Sequence, residues 1–148
     1  MKSMSESEID IQVAMPGDVH ELVILNRLFN GFSDSAEEMA IRLQNTQNIE
    51  TIILARLEGQ VAGFAALRVL PCVLYPTPYA ELTELYVKEE YRLRGIATHL
   101  VRFLEKLAVK KGAKSLSVQT GADNQPALSL YYGLDFADYD VALQKSLR

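Results

Sequence analysis

The stretch ELTELYVKEEYRLRGIATHL, residues 81–100, decides the fold of this chain. It begins with alternating residues, as a half-buried strand does, and passes through a charged turn into a helix. A helix N-terminus offers backbone N–H groups without partners inside the helix, together with the positive end of the helix dipole. Because Gly95 and Ala97 carry little side-chain bulk, a phosphate can approach these N–H groups closely. The stretch therefore predicts an anion-binding turn between a strand and a helix.

A second cluster, NQPALSLY at residues 124–131, follows the next predicted strand. The two clusters, in this order, resemble the GNAT superfamily of acetyl-CoA-dependent N-acetyltransferases. That family carries Gln/Arg-x-x-Gly-x-Gly/Ala after its fourth strand and Asn-x-x-Ala-x-x-Leu-Tyr before its last hairpin. The resemblance is best from residue 80 to residue 136. In scattered positions the chain also resembles the aminoglycoside 3-N-acetyltransferase branch, at VLP (69–71), ELYV (84–87) and RGIAT (94–98).

The remaining patterns fit the fold that this resemblance implies. The turn dipeptide Glu58-Gly59 predicts a hairpin, and the three prolines between residues 71 and 79 predict a loop. We expect one α+β domain over residues 1–148, with the three-layer GNAT fold: a mixed, mostly antiparallel sheet of six to seven strands, and four helices. The predicted strands are 9–14, 50–57, 61–70, 80–87 and 115–120, the predicted helices 16–29, 35–44, 95–110 and 125–132, and the closing hairpin 136–147.

Composition and charge exclude several classes of function. The 148 residues carry a formal net charge of −4, which disfavours nucleic-acid binding. No apolar run approaches the ~20 residues that a membrane span needs, and the polar, acidic start of the chain does not resemble a signal peptide. The single Cys72 cannot form an internal disulfide, which suits a cytoplasmic protein. His20 has no Cys or second His at ligand spacing, so no metal site is expected.

The resemblance implies that acetyl-CoA is the co-substrate. In the family the pantetheine arm pairs with the fourth strand, so Tyr86 and Val87 are expected to offer backbone groups. Asn124 is expected to bind pantetheine or to cap the short helix, and the two roles are not exclusive. Tyr131 is expected to lie beside the co-substrate. The amides expected to bind the pyrophosphate are those of Arg92, Leu93, Arg94, Gly95, Ile96, Ala97 and Thr98.

Acetyl transfer to an amine first requires deprotonation. An amine with a pKa near ~10.4 is about three units from neutral at pH 7, so presenting its free base costs ~4 kcal/mol. Glu81 and Glu84 are the candidate bases, and in a regular strand they face opposite sides unless a bulge intervenes. The resemblance matches Glu84 to a position where many members carry an acidic residue, and Glu81 to the one that the histone-acetylating branch uses. We favour Glu84.

The departing CoA thiolate needs a proton. The resemblance places Tyr131 where the family has its tyrosine acid, and a phenol can donate without being ionised at rest. The alternative is that Tyr131 is a core aromatic residue and that Tyr132 donates the proton.

The expected acceptor is a primary amine of a small molecule, because nothing in the sequence resembles a peptide-docking extension. The family bounds its acceptor site by the first two helices and the loop before the fourth strand. This predicts that Phe29, Phe32, Tyr75 and Tyr79 bind the substrate together with Glu84. Two alternatives stay open: protein or peptide N-acetylation, and a non-catalytic acyl-CoA-binding sensor. A homodimer is also left open.

Overall fold

The computed structural model describes residues 8–148, so the polar start of the chain lies outside the described residues. The chain divides into two compact units, one ending at Ser117 and the other beginning at Val118, and each is described by itself. The single domain therefore stays a prediction.

The first unit follows the predicted order of elements closely. Its helices are α1 (Val19–Asn30), α2 (Ala36–Thr46) and α3 (Ile96–Lys110), with short 3-10 turns at Pro16–Asp18 and Glu89–Tyr91. The strands are β1 (Ile9–Val13), β2 (Glu50–Leu57), β3 (Gln60–Leu70), β4 (Tyr79–Val87) and β5 (Ser117–Val118), whose two residues lie on either side of the unit boundary. They form one sheet in the order β1-β2-β3-β4-β5, and β1 to β4 pair antiparallel.

Local chemistry fixes several of these boundaries. The Ser35 hydroxyl accepts a hydrogen bond from the Glu38 amide at 3.1 Å and so caps the start of α2. Gly31, with φ of 74°, ends α1 in the left-handed conformation. Glu58 and Gly59 both have positive φ, as the two-residue hairpin turn between β2 and β3 requires.

Helices cover both faces of the sheet. On one face, Leu54 of β2 and Phe64 of β3 are buried in a cluster with Leu22 and Leu25 of α1. Neighbouring strand residues point to opposite faces, so the buried Ala65 lies on the other face. There α3, whose apolar side is fully buried, contacts β3 and β4. This packing places the start of α3 beside the end of β4.

The second unit departs from the prediction. It contains the last residue of β5 and one helix, α4 (Gln125–Gly133), and residues 136–147 form no strand. The prediction of six to seven strands is therefore wrong, because the described sheet has five. The alternating apolar residues Tyr139, Val141 and Leu143 are all exposed. Alternation gives a segment the pattern of a strand, but a strand also needs a partner for its backbone groups, and a sequence pattern does not supply one.

Candidate active site

The turn into α3 is shaped to receive an anion. Gly95 is the N-cap of α3 with φ of 81°, and no side chain caps it. The His99 amide donates to the Gly95 carbonyl at 3.1 Å. Among the described residues, the backbone N–H groups of residues 93–98 have no acceptor. These unpaired amides lie at the positive end of the α3 dipole, where a phosphate is stabilised.

The arginine side chains of the turn point back towards β4 and the short 3-10 turn. Arg92 donates through Nε to the Val87 carbonyl at 2.9 Å, and its guanidinium lies 5.8 Å from the centre of the Tyr86 ring. Arg94 lies at the same distance from the ring of Tyr91. Both side chains therefore already have protein partners, and the backbone amides are the groups that remain for a ligand.

The space at Gly95 also fits a pyrophosphate. A Cβ placed on Gly95 would meet only the His99 ring, at 3.8 Å, which is an ordinary contact. The backbone at Gly95 is therefore open on the side where a methyl group would project, so an anion of the size of a phosphate can approach it.

Leu93 carries backbone strain in the same turn. Its φ is 62°, a conformation that costs a residue with a Cβ about 1–2 kcal/mol, and its side chain is fully exposed. We expect Leu93→Gly to remove this strain without loss of packing and to raise the melting temperature by about 1–3 °C after the entropy cost of glycine. Leu93→Ala, which removes the side chain but keeps the strain, is the matched control. Equal melting temperatures for the two variants would contradict strain at this position.

A β-bulge interrupts β4 at its centre. Ala66 of β3 pairs with Glu84, whereas the next residue, Leu67, pairs with Leu82. Thr83 is therefore an extra residue on β4 with no partner of its own, and the strand bends there.

The bulge brings the two candidate bases to one face of the sheet. Glu81 pairs with Arg68 and Glu84 pairs with Ala66, and these partners are two residues apart on β3. Residues two apart share a face, so Glu81 and Glu84 face the same side. In a regular strand, Glu81 and Glu84 would face opposite sides of the sheet. The bulge, which the sequence left open, brings both side chains to the same side.

Glu84 lies in the wall of a cavity of about 240 Å³ beneath α1 and α2. The cavity is bounded by two helices and the central strands, on the face of the sheet that α1 covers. Glu81 is half-buried but does not line it. The lining residues are Leu22, Asn26, Met39, Arg42, Leu43, Thr46, Glu50, Ile52, Phe64 and Glu84.

Burial raises the pKa of the Glu84 carboxyl above the usual value for glutamate, and the nearby Glu50 carboxylate adds to this increase. Asn30 opposes it by donating a long hydrogen bond from Nδ2 to Glu84 Oε2 at 3.5 Å, and Arg68 opposes it by its charge. The net shift is upward, towards the range in which a carboxylate accepts a proton from an amine more readily.

The four predicted aromatic residues occupy different surroundings. Phe29 packs against Tyr86, with ring centres 5.2 Å apart, and against Phe64 in the cavity wall. Phe32 and Tyr79 are exposed and line neither of the two cavities described here. Tyr75 lines a separate cavity of about 430 Å³, formed mainly by the proline-rich loop and including Cys72 and Lys111. The structure thus does not bring Tyr75 to the Glu84 cavity, and the substrate-binding role of these aromatic residues stays a prediction.

In the second unit, Asn124 caps α4. Its Oδ1 accepts a hydrogen bond from the Ala127 amide at 3.3 Å. Asp135 has φ of 67° just after this helix, and Gly133 does not have positive φ. The left-handed residue that ends the helix is therefore the aspartate, a residue that tolerates this conformation better than most.

The two tyrosines of α4 differ in environment. Tyr131 is buried and packs edge-on against Phe136, and this burial raises its pKa to about 12. Tyr132 is exposed and donates a hydrogen bond to Asp138 at 2.7 Å, which raises its pKa. Tyr131 is therefore protonated at neutral pH, as a proton donor must be.

Several residues that surround Glu84 were not predicted from the sequence as part of the site. Asn30 was missed although it follows Asn26 by one helical turn and donates to its Oδ1 at 2.8 Å. The ion pair between Arg68 and Glu50, at 3.2 Å, was missed because it joins two strands. The only usable signal was the paired asparagine spacing on α1.

Two further observations concern metals and membranes. Within residues 8–148, no group of three or more His, Cys, Asp or Glu side chains is arranged to hold a metal ion. No helix in the same range has the length and apolar character needed to cross a bilayer.

Comparison of the sequence with protein families shows which family the chain belongs to. The family model for the Acetyltransferase (GNAT) family matches residues 19–136. The chain therefore belongs to the GNAT acetyltransferase family, and the expectation of an N-acetyltransferase enzyme is confirmed.

One curated relative and two solved structures are similar to this chain. An aminoglycoside N(6′)-acetyltransferase type 1 from Acinetobacter genomosp. 13 is 29% identical over 68% of this chain and 70% of its own. The structure of an aminoglycoside acetyltransferase from an uncultured soil metagenomic sample, in complex with sisomicin, is 23% identical with a TM-score of 0.81, covering 95% and 97% of the two chains. A ribosomal-protein-alanine N-acetyltransferase from Brucella melitensis biovar Abortus 2308 is 20% identical with a TM-score of 0.78, covering 93% and 99%. At these identities the two structures establish the fold alone.

Proposed function

We propose that this protein transfers an acetyl group from acetyl-CoA to a primary amine of a small molecule, by direct attack in a ternary complex. The observation that carries the proposal is the Glu84 carboxylate, which lines a cavity below α1 and α2 and has a raised pKa. Cytoplasmic location and action without a metal are part of the same proposal.

The amides of residues 93–98 support acetyl-CoA as the donor. They are unpaired, and Gly95 leaves the backbone accessible. A bound diphosphate would accept hydrogen bonds from these amides and gain from the α3 dipole. This assigns the turn to donor binding and leaves the Glu84 cavity for the acceptor.

Glu84 has the properties of a base for an alkylammonium substrate. Its negative charge attracts the cation, and its partial burial keeps the carboxylate less well hydrated than one in water. Once the amine has given up its proton, its lone pair attacks the thioester carbon and the C–S bond breaks. We propose that the Tyr131 hydroxyl donates a hydrogen bond, and then its proton, to the departing sulfur.

Replacing Glu84 by glutamine tests the base. We expect Glu84→Gln to lower kcat/KM for the amine by about 10²-fold near pH 7 and to leave acetyl-CoA affinity unchanged. The wild-type activity should fall as pH drops through the Glu84 pKa, because the protonated carboxyl cannot accept a proton. Since burial raises that pKa, the acidic limb should lie above the usual range of glutamate, and it should vanish in the variant.

Glu81→Gln is the matched control, because it removes the same charge from the same face of β4 outside the cavity. The readout is release of CoA thiol over a panel of amines and short peptides, with acetyl-CoA binding measured by calorimetry. A pH profile that Glu84→Gln leaves intact would remove Glu84 as the base. A preference for peptides over small amines would move the acceptor to the protein class.

A further inference from the structure

Building on the proposed function, we propose that the acceptor is an amphipathic monoamine, with one ammonium group on an alkyl or arylalkyl body, and not a polyhydroxylated aminoglycoside. Three properties of the Glu84 cavity favour this acceptor: its apolar side chains, the protein partners that its polar groups already have, and its size.

Half of the cavity wall is apolar. Five of its ten lining residues are Leu22, Met39, Leu43, Ile52 and Phe64. They come from α1, α2, β2 and β3, so they surround the space from several directions. A hydroxyl group placed against this surface would lose its hydrogen bonds to water without replacement, which is unfavourable.

The polar groups on α2 already have protein partners. Arg42 forms an ion pair with Asp34, and its carbonyl accepts a hydrogen bond from the Thr46 hydroxyl at 2.9 Å. A ligand carboxylate would therefore compete with Asp34 for Arg42, and the Thr46 hydroxyl proton is already donated.

The side-chain oxygen of Asn26 on α1 and the carboxylate of Glu50 on β2 also have protein partners. Asn26 Oδ1 accepts the 2.8 Å hydrogen bond from Asn30, and Glu50 pairs with Arg68 at 3.2 Å. Glu84 differs from these groups, because within the described part of the chain it accepts only a long hydrogen bond, of 3.5 Å, from Asn30 Nδ2. The wall thus offers one weakly partnered carboxylate, which matches one ammonium group.

The volume sets the length of the apolar body. A cavity of about 240 Å³ has the volume of about eight water molecules in the liquid, at roughly 30 Å³ each, which is the size range of a small alkylamine. An alkylamine of seven or eight heavy atoms would fill it, with its nitrogen at Glu84 and its chain against the apolar wall. An aminoglycoside has several rings and several cationic groups. These would meet one weakly partnered carboxylate and a wall that is half apolar, with polar groups that already have protein partners.

The test is a homologous series of n-alkylamines, from propylamine to octylamine, with phenethylamine and sisomicin, assayed by CoA thiol release. We expect kcat/KM to rise by about 4-fold with each methylene, as burial of a methylene group implies, and to level off near heptylamine. Sisomicin should react more slowly than hexylamine. A flat series, or faster turnover of sisomicin than of every alkylamine, would overturn this inference and leave the acetyltransferase proposal standing.

A substitution in the cavity wall tests independently whether the apolar side chains bind the acceptor. Leu43→Gln keeps the size of the side chain but makes it polar, and we expect it to lower kcat/KM for hexylamine by about 10-fold with unchanged acetyl-CoA affinity. Ile41→Gln is the control, because Ile41 lies exposed on the same helix outside the cavity. Equal effects of the two variants would overturn the assignment of Leu43 to the acceptor-binding wall.

If neither an amine of the series nor a peptide releases CoA thiol and acetyl-CoA does not bind, the proposed function fails and this inference fails with it.

Discussion

Replacing Gly95 by glutamate is expected to abolish acetyl-CoA binding. The unpaired amides of residues 93–98 converge at the start of α3, and a carboxylate at Gly95 would lie where the diphosphate approaches. Two unit charges about 4 Å apart repel by ~4 kcal/mol at an effective dielectric constant of ~20. That energy alone raises the Kd by about 10³-fold, before the bulk of the side chain is counted. Calorimetry on the purified variant measures the effect.

Backbone strain must be separated from repulsion in this experiment. Gly95 has φ of 81°, so every residue with a side chain is strained there. Gly95→Asn is the matched control, because asparagine tolerates the left-handed conformation and carries no charge. We expect Gly95→Asn to weaken binding by about 10-fold at most. A folded Gly95→Glu protein that binds acetyl-CoA normally would remove the turn from the donor site.

The Gly95 turn also shows what can be predicted from the sequence. Its glycine, the arginines before it and the periodic helix after it are all local features, and the structure contains the turn that they predict. The same holds for the start of α2 next to Ser35 and for the turn at Glu58 and Gly59. Each of these features depends on the φ angle or hydrogen bonds of a few consecutive residues, so the sequence is sufficient to find it.

The environment of Glu84 depends on contacts between segments that are distant in sequence. The bulge at Thr83 exists because β3 and β4 change register there, and only the paired strands define a register. The partners of Glu50 and Asn26 lie on other elements or one helical turn away. The sequence could therefore nominate two carboxylates, but it could not determine that only Glu84 lines a cavity.

In the second unit, the sequence predicts a hairpin that the structure does not contain. Residues 136–147 have the alternation of a strand, and the apolar side chains of Tyr139, Val141 and Leu143 are exposed. A helix completes its hydrogen bonds within its own segment, whereas a strand needs a second segment at the correct distance. For this reason the prediction of α4 agrees with the structure, whereas the prediction of the closing hairpin fails.

Replacing Tyr131 by phenylalanine is expected to lower kcat by about 10²–10⁴-fold while leaving acetyl-CoA affinity nearly intact. The substitution removes one hydroxyl and keeps the ring, so the edge-on packing against Phe136 should survive. With a pKa of about 12, the phenol is protonated throughout the physiological range, and no alkaline limb from Tyr131 should appear in the wild-type pH profile there. The lost interaction is strongest when charge develops on the departing sulfur, so the effect should fall on kcat more than on binding.

Tyr132→Phe distinguishes the two tyrosines of α4. The Tyr132 hydroxyl is exposed and already donates to Asp138, so its removal should change kcat by less than about 3-fold, the effect of a surface substitution. Both variants should be measured with the amine that gives the highest kcat/KM, because a poor acceptor makes attack slow and hides a defect in thiolate departure. If Tyr131→Phe retains full activity and Tyr132→Phe loses it, the proton comes from Tyr132, and the burial of Tyr131 reflects packing of the second unit. If both variants retain full activity, the thiolate leaves without a tyrosine, and water is the remaining donor.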